Sequence, residues 1–324
     1  MTMPAPRDRV ALIKAARMYF LDGRSQDDVA RVLGTSRSNV SRMLSAARAQ
    51  GIVEIRVHEQ TSRAPELEQA LRERFELAHV RVAAFRPGAD VQAAAGDLAA
   101  QWLDESLRDG MVLGLSWGTS LQAMVAAFSV DQPRSAEVVP LVGGLKTTES
   151  LVSGQELVRE LAGRLGATYR YLHAPALLRS EAARDALLAE PAISGVLQRA
   201  SSADIAMVGI GSVGTGSSNE IVEGLGLSPA EREAFLAAGP VGDTCCRFFD
   251  ADGQPIHGVV HDRVLAIELD QLRRIPTVIG VATGAEKVPG VLGALRGGMI
   301  DGLILDANLA LALLSGVGPD SVST

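Results

Sequence analysis

From Val80 to Leu314, short apolar runs of strand length alternate with amphipathic stretches of helix length, and this alternation limits the fold more than any other feature. The strands read as Val80–Ala84, Met111–Leu115, Glu137–Val142, Thr168–Leu172, Ile205–Val208, Val264–Ile267, Thr277–Val281 and Gly302–Leu305. Helices fill most of the gaps, among them Val91–Leu107, Thr119–Phe128, Gln155–Leu165 and Asn308–Leu314. Ser228-Pro229-Ala230-Glu231 opens another, with an N-cap, a proline at the first helical position and a glutamate that completes a capping box. Repeated βα units predict an α/β domain with a mainly parallel sheet, because parallel neighbours need helical crossovers. Ligands in such domains bind outside the carboxyl ends of the strands.

The N-terminal stretch Ser25–Leu44 has a different pattern. Val29, Val32 and Leu33 lie at helical spacing before Gly34, and Val40, Met43 and Leu44 after it. Ser25 suits an N-cap for the first helix, and Thr35 or Ser36 for the second. Ala30 is small where two helices cross, and Gly34 tolerates a left-handed turn. This is the form of a helix-turn-helix. Its second helix is expected to present Ser36, Arg37, Ser38, Asn39, Ser41 and Arg42, side chains suited to base edges and phosphates of a major groove. The alternative is a helical hairpin with an ordinary polar face. The residue after Gly34 is aliphatic in most such motifs and here is Thr35. A preceding helix, Arg9–Leu21, has apolar Val10, Ile13, Ala16, Met18 and Phe20 to pack behind the motif. Ile52–Val57 alternates with period two, and the whole reads as a winged helix-turn-helix.

A chain of 324 residues suits two domains. The polar run Gln60–Ala64 followed by Pro65 marks a boundary. The expected division is 1–58 for the DNA-binding domain, 59–78 for a linker helix and 79–324 for an effector domain. The linker helix, with Leu67, Leu71 and Phe75, could couple the domains, mediate dimerisation or lie on the surface. Net charge is −7, yet residues 1–60 hold ten Arg or Lys against six acids, a balance of +4 that leaves −11 for the rest. A basic head with an acidic body suits a protein whose head alone meets nucleic acid. No apolar run is long enough to span a membrane and no signal peptide is evident, so a cytoplasmic location is expected. Cys245 and Cys246 are too few for a disulfide framework or a zinc site and read as part of a buried strand.

Four glycine-containing loops could carry chemistry. Gly114–Ser120 follows a strand and opens a helix, so Ser116, Trp117, Gly118, Thr119 and Ser120 could cradle a phosphate or carboxylate with hydroxyls and free N–H groups. The alternative is a bare glycine-rich turn. Gly209-Ile210-Gly211-Ser212-Val213-Gly214 spells a dinucleotide fingerprint, but Thr215–Asn219 does not read as the start of a helix, so only a pocket loop is expected. Asp243, after Gly242, is placed to bind sugar hydroxyls or else to cap its own turn. Lys287, one of three lysines in an arginine-rich chain, follows a strand end and could meet a phosphate or lie in solvent. His58, His79, His173, His257 and His261 are scattered, so neither a metal site nor a nucleophile–base pair is expected, and no cofactor.

Together these stretches resemble the SorC family of bacterial sugar-responsive transcription regulators. The resemblance runs through the helix-turn-helix with Gly51-Ile52-Val53-Glu54-Ile55, then Ser116-Trp117-Gly118-Thr119, Val139-Pro140-Leu141-Val142-Gly143-Gly144, Gly209-Ile210-Gly211, Gly242-Asp243-Thr244-Cys245 with Arg247-Phe248-Phe249-Asp250, and Leu295-Arg296-Gly297-Gly298 leading to Asp306. It implies an effector domain similar to sugar-phosphate isomerases, deaminases and CoA transferases with catalysis lost. It further implies a phosphorylated sugar as effector, and a homodimer or homotetramer on double-stranded DNA. By position it implies that the Trp117–Ser120 loop holds phosphate while Asp243 and Lys287 line the pocket, with Gly211 beside them. Pro289 and Gly290 depart from the family's pattern and are expected to shorten the helix beginning at Lys287. The competing reading is a sugar-phosphate isomerase or deaminase fused to a DNA-binding head, with Asp243 as the general base.

Overall fold

The computed structural model describes residues 6–53, 61–88, 90–129, 132–145 and 153–316. The chain forms two compact units, Met1–Gln60 and Thr61–Thr324.

In the first unit, helix Pro6–Ala16 runs into a π-helical turn, Arg17–Leu21, followed by helices Gln26–Leu33 and Arg37–Ala49. The Ser25 hydroxyl accepts from the Asp28 N–H, and Gly34 ends that helix with φ 64°. Ser36, not Thr35, caps the next helix by accepting from the Asn39 N–H. The core is small: Leu12, Ala15, Met18, Val29, Ala30, Val40, Leu44 and Ala47. Three expected core positions fall outside it. Val10 and Ile13 are exposed, because the first helix turns its Leu12–Ala15–Ala16 side inward, where small residues permit close crossing. Val32 is exposed for the same reason, Val29 and Ala30 having taken the inner face. The expected wing strand Ile52–Val57 lies mostly outside the described residues; Ile52 and Val53 follow the helix as a bend.

The second unit is built on seven parallel strands: β1 (His79–Ala83), β2 (Val112–Leu115), β3 (Glu137–Pro140), β4 (Thr168–Tyr169), β5 (Ile205–Gly209), β9 (Thr277–Ala282) and β10 (Gly302–Asp306). Between β5 and β9 the chain inserts a three-stranded antiparallel sheet of β6 (Gly211–Ser212), β7 (Gly242–Thr244) and β8 (Arg247–Phe249). The parallel order is β1-β10-β9-β5-β2-β3-β4. Alternate strand residues face two cores, as a sheet buried on both sides requires. Ile205, Met207, Ile279, Val281 and Ile304 pack with helices Val91–Ser106, Thr119–Ala127 and Gly154–Leu165. Ala206, Val208, Val278, Leu303 and Leu305 belong to the other core with Leu197, Val291 and Leu309. The capping box at Ser228 forms as expected, with Ser228 N–H donating to Glu231 and Glu231 N–H to the Ser228 hydroxyl.

Most strands end within two residues of their expected bounds. β4 stops at Tyr169, three residues short of Leu172, and Val264–Ile267 departs further. It joins no sheet and makes isolated antiparallel bridges to Leu177 and Val142, so its apolar run laces loops together. The Leu67–Leu71–Phe75 helix, Pro65–Phe75, packs on β1 and on helix Ala307–Ser315 of its own chain, with Leu71 fully buried. The Glu68 carboxylate staples it down, accepting from Arg63 Nε (2.8 Å) and the Val82 N–H (3.0 Å). Burial pushes the Glu68 carboxyl up, but these bonds and the charges of Arg63 and Arg72 outweigh it and leave it below its ordinary range.

Candidate functional site

β5 and β2 are neighbours from which the chain departs in opposite directions. β2 leads through helix Thr119–Ala127 to β3, and β5 leads through the small sheet to β9 on its other side. Two connections that part leave a crevice at the carboxyl edge. A cleft of about 510 Å3, its open mouth included, lies there. Ser116, Trp117, Gly118, Thr119, Ser120, Gly211, Asp243 and Lys287 all line it. So do Gly209, Ile210, Ser217, Ile221, Cys245, Cys246, Val281, Ala282 and Thr283.

The first loop ends at Gly118 (φ 133°), and helix Thr119–Ala127 begins there without a side-chain cap, which leaves N–H groups of its first turn for another acceptor. Ser116 is buried and its hydroxyl oxygen accepts from the Gly209 N–H at 3.1 Å, so it ties β2 to β5. Thr119 and Ser120 are half-buried.

Asp243 lies on β7, opposite Gly211 on β6. It is buried, and one carboxylate oxygen accepts from the Ser218 hydroxyl at 2.6 Å. Burial pushes its carboxyl above the ordinary range, against the Ser218 bond, the Lys287 charge and the Cys246 N–H. Glycines make this packing possible. A Cβ at Gly211 would overlap the Asp243 and Ser218 oxygens, and one at Gly290 would overlap the Gly211 carbonyl. Lys287, half-buried, ends a 3-10 turn, Ala285–Lys287. The next helix, Val288–Arg296, begins one residue after Lys287, with Pro289 in its first turn, where no N–H bond is lost. Gly290 lets that helix approach β6, and its N–H donates to the Ser212 hydroxyl at 3.0 Å.

Three features were not foreseen. Thr215 does precede a helix, Gly216–Gly224, whose Ile221 and Val222 are buried. Gly211 nevertheless belongs to a strand and not to the turn of a dinucleotide fold. Cys245 and Cys246 are not strand residues but the two-residue turn joining β7 to β8, with φ 52° and 60°. Left-handed conformation costs an L-residue roughly 1 kcal/mol or more, which is why Asn-Gly is usual in such turns. Both thiols are buried, and burial pushes Cys245 up to about 12, so neither ionises. Behind the turn, buried Arg247 donates to the His261 carbonyl (2.8 Å) and pairs with Glu268 (2.6 Å). Burial and the Arg247 charge push His261 down to about 4. A charged residue inside an apolar run carries no sequence mark of this role.

On the helix Arg37–Ala49 of the first unit, Ser36, Arg37, Ser38, Ser41 and Arg42 are exposed, Arg37 by 70% of its side chain. Asn39 is only half-buried at the helix start, and its amide donates to the Thr35 hydroxyl at 2.8 Å. The hydroxyl at the usually aliphatic position is thus what restrains Asn39.

A helix-turn-helix unit followed by an α/β body with a cleft at its switch point defines a two-part transcription regulator, and comparison with known proteins agrees. A family model described as "Putative sugar-binding domain" matches residues 59–315. The chain is 32% identical over 306 residues to the deoxyribonucleoside regulator of Bacillus subtilis, covering 94% of this chain and 96% of that one. It is 31% identical over 309 residues to the sorbitol operon regulator of Klebsiella pneumoniae, covering 94% and 97%. The crystal structure of full-length SorC from Klebsiella pneumoniae superposes with a TM-score of 0.71 at 30% identity, over 96% of this chain and 100% of that one. The chain belongs to the SorC family of transcription regulators and carries its sugar-binding domain. No described helix is long and apolar enough to cross a membrane.

Proposed function

We propose that the cleft holds a phosphorylated sugar and that its occupancy sets the affinity of the Arg37–Ala49 helix for a double-stranded DNA operator. The observation that carries this reading is the meeting, in one cleft, of an uncapped helix N-terminus at Thr119, the Lys287 ammonium and the buried Asp243 carboxylate. The first two attract a dianion, and the third accepts hydrogen bonds from hydroxyls. Relatives named for deoxyribonucleosides and sorbitol support an effector of the sugar class. The effector acts by binding DNA-competent and DNA-incompetent arrangements unequally. The domains divide at 1–58, 59–78 and 79–324. The protein works in the cytoplasm as a homodimer or homotetramer, since one small head makes few contacts and two heads fit a two-fold operator.

Calorimetry tests the site. Lys287→Ala should weaken a phosphosugar by about ten- to a hundredfold, the range of one charged hydrogen bond, and spare its unphosphorylated parent. Equal loss for both ligands rejects the phosphate assignment. One observation favours a second reading, a sugar-phosphate isomerase or deaminase: a buried carboxyl with a raised pKa beside a lysine is also how a general base is built. We expect no turnover of phosphosugars followed by proton NMR in deuterated water.

A further inference from the structure

The cleft has two kinds of wall. The Ser116–Ser120 loop and Lys287 are polar, whereas Ile210, Ile221, Cys245 and Cys246 are apolar or nearly so, and all four are buried. We propose that the Cys245–Cys246 turn is the specificity wall of this cleft, selecting a phosphorylated sugar that carries hydrogen rather than hydroxyl on the carbon facing it: a deoxysugar phosphate. This rests on the sugar-phosphate reading of the cleft and goes beyond it.

Both turn residues hold a conformation that glycine or asparagine adopts at less cost, with φ 52° and 60°. Both also pack into the core behind the turn, which gives a reason for a small buried side chain but not for sulfur in particular. Strain of this kind persists where a side chain is needed, and these two residues line the cleft. The cysteines are not cross-linked, and burial keeps them as neutral thiols. A thiol is a weak donor and a weak acceptor. A sugar hydroxyl pressed against it loses water and gains little in return, while a methylene loses nothing. The turn also sits beside the group that reads hydroxyls. Asp243 is two residues before Cys245 and accepts from the Cys246 N–H. A sugar that gives one hydroxyl to Asp243 thereby holds a neighbouring carbon against the thiols. An apolar wall rejects an added hydroxyl by at most about a hundredfold, which bounds the effect.

The test uses the full chain and calorimetry with matched pairs: 2-deoxyribose 5-phosphate against ribose 5-phosphate, and 2-deoxyglucose 6-phosphate against glucose 6-phosphate. In the pair that binds, the deoxy member should bind about ten- to a hundredfold tighter. Cys246→Ser should cut that ratio at least threefold by offering a hydroxyl partner. Cys246→Gly should erase it, because no side chain remains to face the sugar. A hydroxylated member that binds as tightly as its deoxy partner in both pairs overturns the proposal and leaves the phosphosugar reading standing. So does a ratio unmoved by Cys245→Ser and Cys246→Ser. If none of the four phosphosugars binds, the reading of the cleft falls and the proposal with it.

Discussion

The proposed recognition helix and the proposed effector cleft spend their polar side chains in opposite ways. On the helix, Arg37 is 70% exposed and its nearest acid, Asp27, lies at 4.0 Å. In the cleft, Asp243 is buried, bonded to Ser218 and packed against Gly211, where an added Cβ would displace both side chains. The helix is supported from below by Val40, Leu44 and Ala47, none of which touches the outer face. The cleft is supported by its own lining, because Ser116 joins two strands and Gly211 seats Asp243. Function and fold are thus separable in the first unit and shared in the second. Mutations should report the difference.

The largest effect should come from Gly290→Ala. At an open helical site alanine stabilises by about 1 kcal/mol, and Gly163, with nothing near its would-be Cβ, should show that gain. At Gly290 the added carbon would overlap the Gly211 carbonyl, a backbone atom that cannot swing away. We expect a loss of about 3 kcal/mol in denaturant melts, at the upper end for overpacking, together with loss of effector binding. A stabilised Gly290→Ala protein would show that the cleft's backbone is not closely packed and would remove half of the contrast.

Arg37→Ala should do the reverse. If Arg37 reads a base, operator affinity should fall by about 1–3 kcal/mol, with relaxed preference at one position. The melting midpoint should stay put, since the side chain supports nothing below it. A matching drop in stability would mean that the recognition face also serves the fold.

The same division explains what could be read from sequence. The sheet was legible because strands buried on both faces are continuous apolar runs, such as Val278–Ala282, bounded by polar or glycine residues. The site loops were legible because every strand of a parallel sheet ends on one edge, so Ser116–Ser120 and Lys287 had to open on the same side. Val264–Ile267 was misread because an apolar extended run looks the same whether it pairs in a sheet or bridges loops. In the first helix, large Val10 and Ile13 suggested the wrong stripe, since the crossing selects Ala15 and Ala16 for size. The cysteine turn hid because its φ values suit asparagine or glycine, and the sequence offers neither there. Ser217 and Ile221 were missed because a helix opening with Gly-Ser-Ser shows no apolar face until its second turn.

The smallest expected effect separates two buried carboxyls within the body. Glu68 has Arg63 and Arg72 for company, and its carboxyl lies below its ordinary 4.5. It therefore stabilises the native state above about pH 4.5, and that contribution is lost as pH falls through its lower native value. Asp243 is raised above 3.8 by burial, so the native state holds its proton more tightly than the unfolded chain does. Its contribution has the opposite sign: stability declines as pH rises from about 4 through the native value. Asp243→Asn removes that decline. The variant should melt at or above the wild-type midpoint, with an advantage that widens as pH rises over that window. The widening should not exceed about 1.4 kcal/mol per pH unit, the limit for one proton. Glu68→Gln should be less stable than wild type at neutral pH, with a deficit that shrinks below pH 4.5. Denaturant melts of the three proteins from pH 4 to 8 decide it. An Asp243→Asn curve parallel to wild type would mean that Ser218, Lys287 and the Cys246 N–H fully offset the burial. Asp243 would then be a stabilising part of the fold like Glu68, and not a group whose folding cost is tolerated for the ligand.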